Sequence, residues 1–265
     1  MSILQAIILG IVQGIAEFLP ISSSGHLVVL QRVFGMEEPA LTFDIILHVG
    51  TLVSIVVVFW NDIWKLIKNP FSKMTGLLIV GTIPAVVVGF LLRDVIENYL
   101  RSGIFLAAAF TLTGFLLLIA DRFPVGTKTN DRDITYIDAI IVGMMQALAL
   151  PPGISRSGMT ITGALSRGLN RETAARFSFM LAIIVIAGAG AFEAVEFFIE
   201  GSAAYETVGA PQMIVGFVVS ALVGFLAIKL LLKLIKACKL RYFSYYLWVL
   251  AAVILADYLF VNMFF

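Results

Sequence analysis

A chain of 265 residues that is 60% hydrophobic and 13% charged, with a mean hydropathy of +1.03, is too apolar for a water-soluble domain of its size. A net charge of +1 gives no bulk electrostatic case for nucleic acid, and the single cysteine, Cys238, excludes an intrachain disulfide. The class left standing is an all-α polytopic membrane protein.

Taken in order, the chain is apolar from Ile3 with no basic leader ahead of it, so no cleavable signal peptide is expected. Residues 3–34 are broken midway by "LPISSSG", and neither half, about 14–16 residues, spans a bilayer comfortably. They are expected to form a re-entrant hairpin, because irregular backbone at membrane depth must be buried in protein or line a wet cavity. Residues 41–60 make a first span. Asp44 and His48 sit i, i+4 at its outer start, a spacing that suits a metal pair. Two ligands at a boundary position favour a capping or snorkelling role instead. The uncharged runs 76–92 and 103–120 are two more spans, the former kinked at Pro84. Residues 136–168 repeat the broken pattern at "PPGISRSG" and form a second expected hairpin. Runs 177–192, 211–228 and 243–263, the last interrupted only by Asp257, complete six spans. Glu193 and Glu196 read as interfacial.

Basic residues set the orientation. With both termini outside, the loops after spans 1 and 3, around the second hairpin and after span 5 lie inside. They carry 14 of the 18 Lys and Arg residues, while Arg32, Arg93 and Arg101 fall outside and Arg156 lies in a hairpin. The loop 200–210, expected outside, holds Glu200 and Glu206 and no basic residue.

A shift of 133 residues aligns Gly10 with Gly143, Gln13 with Gln146, and Ile21, Ser22, Ser24 and Gly25 with Ile154, Ser155, Ser157 and Gly158. Repeat 1 is then about 1–130 and repeat 2 about 131–265, together a single membrane domain. Each repeat is one hairpin followed by three spans, so the two have opposite orientation. Inverted repeats of this kind place their sites where the broken segments meet. Meeting tips would bring Glu17, Ser22, Ser23, Ser24 and His26 to Ser155, Arg156, Ser157 and Thr160. A guanidinium, hydroxyls and free N–H groups at a helix start suit a phosphate. Glu17 and Gln13, one helical turn apart, suit a hard divalent cation, and His26 suits proton transfer. A charge inside a membrane is functional by default. A purely structural Glu17–Arg156 pair would leave the hydroxyls unexplained.

The stretches "QGIAEFLPISSSGH" (13–26) and "PGISRSGMT" (152–160) resemble the two signature motifs of the undecaprenyl-diphosphatase family, the bacitracin-resistance lipid phosphatases. The resemblance runs the whole chain and implies the inverted-repeat fold with two re-entrant regions. It also implies removal of the terminal phosphate of undecaprenyl diphosphate at a site opening to the external face of the cell membrane. The products are inorganic phosphate and undecaprenyl phosphate, which is recycled for cell-wall glycan synthesis, with bacitracin resistance as a consequence. By position it assigns Glu17, Ser23, His26 and Arg156 to catalysis, with Ser23 or a water as nucleophile. Ser22, Ser24, Ser155, Ser157 and Thr160 go to phosphate binding together with Arg156, and Glu17 with Gln13 to a divalent cation, Mg²⁺ or Ca²⁺. Many members have glutamate where this chain has Gln13, a poorer metal ligand. The expected partners are the lipid substrate and membrane lipids, with a homodimer left open and no nucleic acid. A lipid-phosphate flippase or secondary transporter using the same site is the rival, since such folds are typical of transporters.

Overall fold

The computed structural model describes residues 1–36, 40–99, 102–200, 208–234 and 239–265. Arg101, Glu206, Lys236 and Cys238 lie outside the described residues, as do the side chains of Arg93, Glu193, Glu196 and Glu200. The described residues form eleven α-helices and no named strand. In chain order these are α1 (Ile3–Ala16), α2 (Ser23–Val33), α3 (Leu41–Val58), α4 (Trp60–Lys68), α5 (Lys73–Tyr99) and α6 (Gly103–Ala120). They continue as α7 (Tyr136–Leu148), α8 (Arg156–Ser166), α9 (Arg171–Glu200), α10 (Ala210–Leu234) and α11 (Arg241–Ala256).

Each broken stretch is a pair of short helices. Helix α1 opens with a capping box, in which Ser2 Oγ accepts from Gln5 N–H at 3.2 Å and Gln5 Oε1 accepts from Ser2 N–H at 2.6 Å. Helix α7 opens the same way with Thr135 and Asp138, at 3.2 and 2.9 Å, in positions 133 residues on. Pro20 and the Pro151–Pro152 pair lie just past the ends of α1 and α7, where a missing N–H and a restricted preceding residue keep the helix from continuing. Ser22 and Ser155 then cap α2 and α8, each accepting from the N–H three residues ahead, at 3.4 and 3.1 Å.

Five helices are long and apolar enough to cross a membrane, and α3 joins them as one member of a bent pair. The expected span 41–60 ends at Phe59, where α4 turns aside by 78°. Helix α4 stacks Trp60 on Trp64, sets Lys68 over the Trp64 ring and exposes Ile67, an arrangement suited to the membrane–water boundary. Helix α5 passes through Pro84 without a break.

The halves interlock. Helix α1 packs on α10 and α7 on α5, so the first helix of each half lies along a long helix of the other. Small residues permit the close approach. A methyl added to Gly143 would collide with the Gly81 carbonyl oxygen. Helices α3 and α10 exchange hydrogen bonds, Ser54 Oγ–H to the Ala221 carbonyl at 2.6 Å and Ser220 Oγ–H to the Leu47 carbonyl at 3.0 Å. Trp248 of α11 donates to the Thr111 carbonyl of α6 at 3.2 Å.

One end of the bundle gathers the expected basic loops around buried acids. Lys128 and Arg167 converge on Asp138 at 2.5 and 2.9 Å, and Arg171 and Arg241 on Asp121 at 3.1 and 2.8 Å. Arg176 meets Asp62 at 2.6 Å. Burial alone would raise the Asp121 carboxyl, but hydrogen bonds from Arg241, the Leu240 N–H and Arg171 outweigh it and hold this group below the usual carboxylate range.

Because the Gly143 contact is with rigid backbone, Gly143→Ala is expected to destabilise the fold by about 1–3 kcal/mol, the usual size of an overpacking penalty. Thermal melting in detergent measures it, and an unchanged midpoint would mean that α5 and α7 are not this close.

Candidate active site

Glu17 sits at the C-cap of α1 with helical backbone angles, its N–H donating to the Gln13 carbonyl at 3.0 Å. Its carboxylate therefore stays on the Gln13 face of the helix, and Gln13 Nε2 donates to Glu17 Oε2 at 3.0 Å. Residues from two other helix starts complete the cluster. Ser22 holds φ at +68°, unusual for a non-glycine residue, and this turn makes Ser23 the first residue of α2. Ser23 Oγ–H donates to Glu17 Oε2 at 2.5 Å. Arg156 is the first residue of α8, and its Nη2 donates to Glu17 Oε1. Glu17 is 5% exposed, so its charge has exchanged water for these donors.

The tips of the two hairpins touch. Ser157 Oγ–H donates to the Leu19 carbonyl at 2.9 Å. Gly25 lies against Gly153, where a methyl on Gly25 would be 2.8 Å from the Gly153 Cα and 2.6 Å from the Phe110 ring. Gly153 itself has φ +89°, which favours glycine. Between the tips, α3 and α9 lies a cavity of about 340 Å³, walled by Glu17, Ser22, Ser23, Ser24, Ser155, Arg156 and Ser157 among others. Ser22 and Ser24 Oγ are 3.4 Å apart, and Ser155 and Ser157 Oγ 3.2 Å, the same contact at the 133-residue shift.

Two of the expected site residues stand apart. His26 does not line this cavity. Its Nδ1–H donates to the Ser22 carbonyl at 2.6 Å, its Nε2 accepts from the Tyr246 hydroxyl at 2.6 Å, and its ring stacks on Tyr246 and meets Phe110 edge-on. Nδ1 is committed to the first turn of its own helix and Nε2 to α11, while the ring edge meets α6. Thr160 is buried, bonding the Arg156 carbonyl at 2.8 Å and Ser178 Oγ of α9 at 2.5 Å. It steadies the turn that carries Arg156.

Two cavity residues, Asp44 and His48, were expected at a boundary. His48, whose spacing suited a metal pair but whose position favoured capping or snorkelling, faces the site with Nε2 3.5 Å from Glu17 Oε2. Its Nδ1–H donates to the Asp44 carbonyl at 2.7 Å, and the Asp44 carboxylate accepts from Gln31 at 2.7 Å while also walling the cavity. The i, i+4 pairing of Asp44 and His48 was the signal in the sequence. Which helix that face would meet was not.

The donor set is compatible with a hard cation. Gln13 gives its Nε2 to Glu17 and keeps a buried Oε1 with no hydrogen-bond partner, an oxygen that a cation or water would satisfy. Among the described residues, no group of three or more His, Cys, Asp or Glu converges on a metal-sized point. Any ion here would need oxygens from a ligand or solvent to complete its shell.

Deleting one partner of the Glu17–Arg156 pair strands the other. Glu17→Ala and Arg156→Ala are each expected to cost about 1–3 kcal/mol in stability, less than a fully buried charge because the cavity admits water to the guanidinium. The double variant should recover part of the summed loss in a melting-based double-mutant cycle. Strict additivity would show the pair to be uncoupled.

A family model described as bacitracin resistance protein BacA matches residues 6–253. The chain is 45% identical over 255 residues to the undecaprenyl-diphosphatase of Carboxydothermus hydrogenoformans, covering 96% of this chain and 97% of that one. It is 47% identical, with the same coverage, to undecaprenyl-diphosphatase 4 of a Bacillus cereus strain. It is 43% identical to the undecaprenyl-diphosphatase of Methanosphaera stadtmanae, over 93% of this chain and 94% of the relative. The chain belongs to the bacitracin resistance protein BacA family, and is a multi-pass helical membrane protein of that family.

Proposed function

We propose that this protein hydrolyses undecaprenyl diphosphate to undecaprenyl phosphate and inorganic phosphate at the cluster of Glu17, Ser23 and Arg156. The observation that carries the reading is the Glu17 carboxylate held between a hydroxyl from one hairpin and a guanidinium from the other, on the wall of one cavity. The released carrier lipid returns to cell-wall glycan synthesis, and faster turnover of the diphosphate gives resistance to bacitracin. The names of the relatives favour hydrolysis over the rival flippase.

The chemistry follows from the contacts. Arg156 spends one N–H on Glu17 and has four more for phosphate oxygens, in the planar fork that suits them. Ser22, Ser24, Ser155 and Ser157 add hydroxyls around the same cavity, and the first N–H groups of α2 and α8 add main-chain donors. Ser23 already gives its proton to Glu17 Oε2 through a short hydrogen bond. Glu17 is thus placed to take that proton as Ser23 Oγ attacks the terminal phosphorus, the bond from that phosphorus to the bridging oxygen breaks and undecaprenyl phosphate leaves, carrying the proton from Glu17. A water that gives a proton to Glu17 then attacks the phosphoserine, releasing inorganic phosphate while the proton returns to Ser23 Oγ. Glu17 and Gln13 Oε1 would hold a divalent cation, which would supply neutralisation of phosphate charge. His26, tied to Tyr246, acts by fixing the Ser22 turn that aims Ser23.

The finer architecture belongs to the same proposal. Six spans and two re-entrant hairpins form an inverted repeat, supported by the matching capping boxes, matching serine caps and reciprocal packing of α1 on α10 and α7 on α5. Both termini and the cavity mouth face outward. Support comes from the ion-paired basic end formed by residues 62, 121–138, 167–176 and 241, which is taken as cytoplasmic.

Phosphate release from undecaprenyl diphosphate by the purified protein in detergent tests the reading. Arg156→Ala is expected to slow release by about 10³-fold or more, the range seen when a phosphate-clamping arginine is lost. Ser23→Ala is expected to do the same by removal of a nucleophile. Near-normal release from Arg156→Ala would end the assignment. A protein that moves the lipid and releases no phosphate would be a transporter.

A further inference from the structure

We propose that His48 is a ligand of the divalent cation, binding through Nε2 beside Glu17 Oε2, so that this site is a mixed nitrogen–oxygen site. The inference deepens the reading above and rests on its placement of a cation at Glu17.

The argument starts from the tautomer. A backbone carbonyl can only accept, so the 2.7 Å contact with the Asp44 carbonyl puts a proton on His48 Nδ1. That is the outer-shell arrangement that orients a metal-binding imidazole and leaves Nε2 as the donor atom. Nε2 lies on the cavity wall, 3.5 Å from a carboxylate oxygen. This distance exceeds a good nitrogen–oxygen hydrogen bond, so the two atoms face each other without one. Two donor atoms so separated, each about 2.1–2.2 Å from one ion, subtend about 105–115° there, within the range of ordinary coordination. The other histidine provides the contrast: both nitrogens of His26 are consumed by hydrogen bonds of 2.6 Å.

Glu17 Oε2 already accepts from Gln13 Nε2 and Ser23 Oγ, so a cation there would displace one of these donors. Gln13 Oε1 is buried without a partner one helical turn from Glu17. No third His, Cys, Asp or Glu joins Glu17 and His48 among the described residues. The protein then supplies two or three donors and leaves open positions for phosphate oxygens and water, as a catalytic rather than structural site requires. Imidazole also changes the selectivity. Nitrogen ligation favours Mn²⁺, Co²⁺ or Zn²⁺ over Mg²⁺ and Ca²⁺ relative to an all-oxygen site.

The test uses Mn²⁺ alone, without substrate, on the purified protein carrying ¹⁵N-labelled histidine. Pulsed electron paramagnetic resonance reads the coupling of bound Mn²⁺ to a directly ligated ring nitrogen, and the chain's two histidines leave only two sources. The wild type and His26→Gln should both show the coupling. His48→Gln should lose it, weaken Mn²⁺ binding about 10–100-fold and weaken Mg²⁺ binding less. Should the His48 variants fail to fold, the coupling in His26→Gln still decides, since only His48 remains to produce it. Bound Mn²⁺ with no histidine coupling, coupling that survives His48→Gln, or no stoichiometric Mn²⁺ binding would overturn the proposal. Parallel phosphate-release assays separate the two claims. Hydrolysis without histidine coupling sinks only the ligand assignment, and coupling without hydrolysis sinks only the phosphatase reading.

Discussion

The structure depends on one carboxylate held away from water between two chain segments. Glu17 ends the first half-helix, and its oxygens accept from Gln13 and Ser23 on its own hairpin and from Arg156 on the other. A lone ionised side chain at membrane depth costs roughly 2.5–3.5 kcal/mol even on insertion scales. Sharing the charge across both tips removes most of that penalty, and it does so only when the tips are in register. The same interaction therefore joins the two tips and gathers polar groups on one cavity wall. A site built this way is expected to lose activity whenever the hairpins separate, even if every catalytic side chain is present.

Small residues make the register possible. Gly25 on Gly153 lets the tips meet, while Gly143 on Gly81 and Gly14 on Gly224 let each broken helix lie close to a long one of the other half. In a bilayer there is no hydrophobic force between helices, so close backbone packing and interhelical hydrogen bonds carry the association. The Ser157 bond joins α8 to the turn after α1, sharing the Leu19 carbonyl with the Ile21 N–H at 2.8 Å. The serines of "SSSG" and "SRSG" thus carry two duties at once, since Ser22 and Ser155 cap helices and Ser157 joins the tips while all three wall the cavity.

Much of this was legible in the sequence. The run 103–120 coincides with α6, and the two proline-broken stretches are the two helix pairs. Runs 76–92 and 177–192 fall inside longer helices, because hydropathy stops at charged residues such as Arg171, Glu172 and Arg176 that the helix continues through. The bend at Phe59 was not legible. No proline or glycine marks it, and only the Trp60–Trp64–Ile67 face explains why α4 turns aside. At the site, the i, i+4 step from Gln13 to Glu17 and the paired motifs anticipated which groups lie together. The histidines lie otherwise than expected, His48 on the cavity wall and His26 away from it. Spacing tells which face of a helix a residue occupies, and both lie on plausible faces. Whether that face meets the cavity, as for His48, or Phe110 and Tyr246, as for His26, is set by contacts of α3 and α2 with helices distant in sequence.

The 133-residue correspondence also shows that the two hairpin tips bring one acid to the cavity rather than two. Ser23 and Arg156 are equivalent positions, the first residues of α2 and α8, and both point to the same carboxylate. The equivalent of Glu17 is Leu150, which lines the same cavity. A second carboxylate there would repel the first and leave Arg156 shared between them. With leucine, the guanidinium has one carboxylate partner among the described residues, Glu17. The two stretches share capping boxes, serine caps and proline breaks at the 133-residue shift and differ at the carboxylate, so matching local structure carries unlike side chains into one cavity.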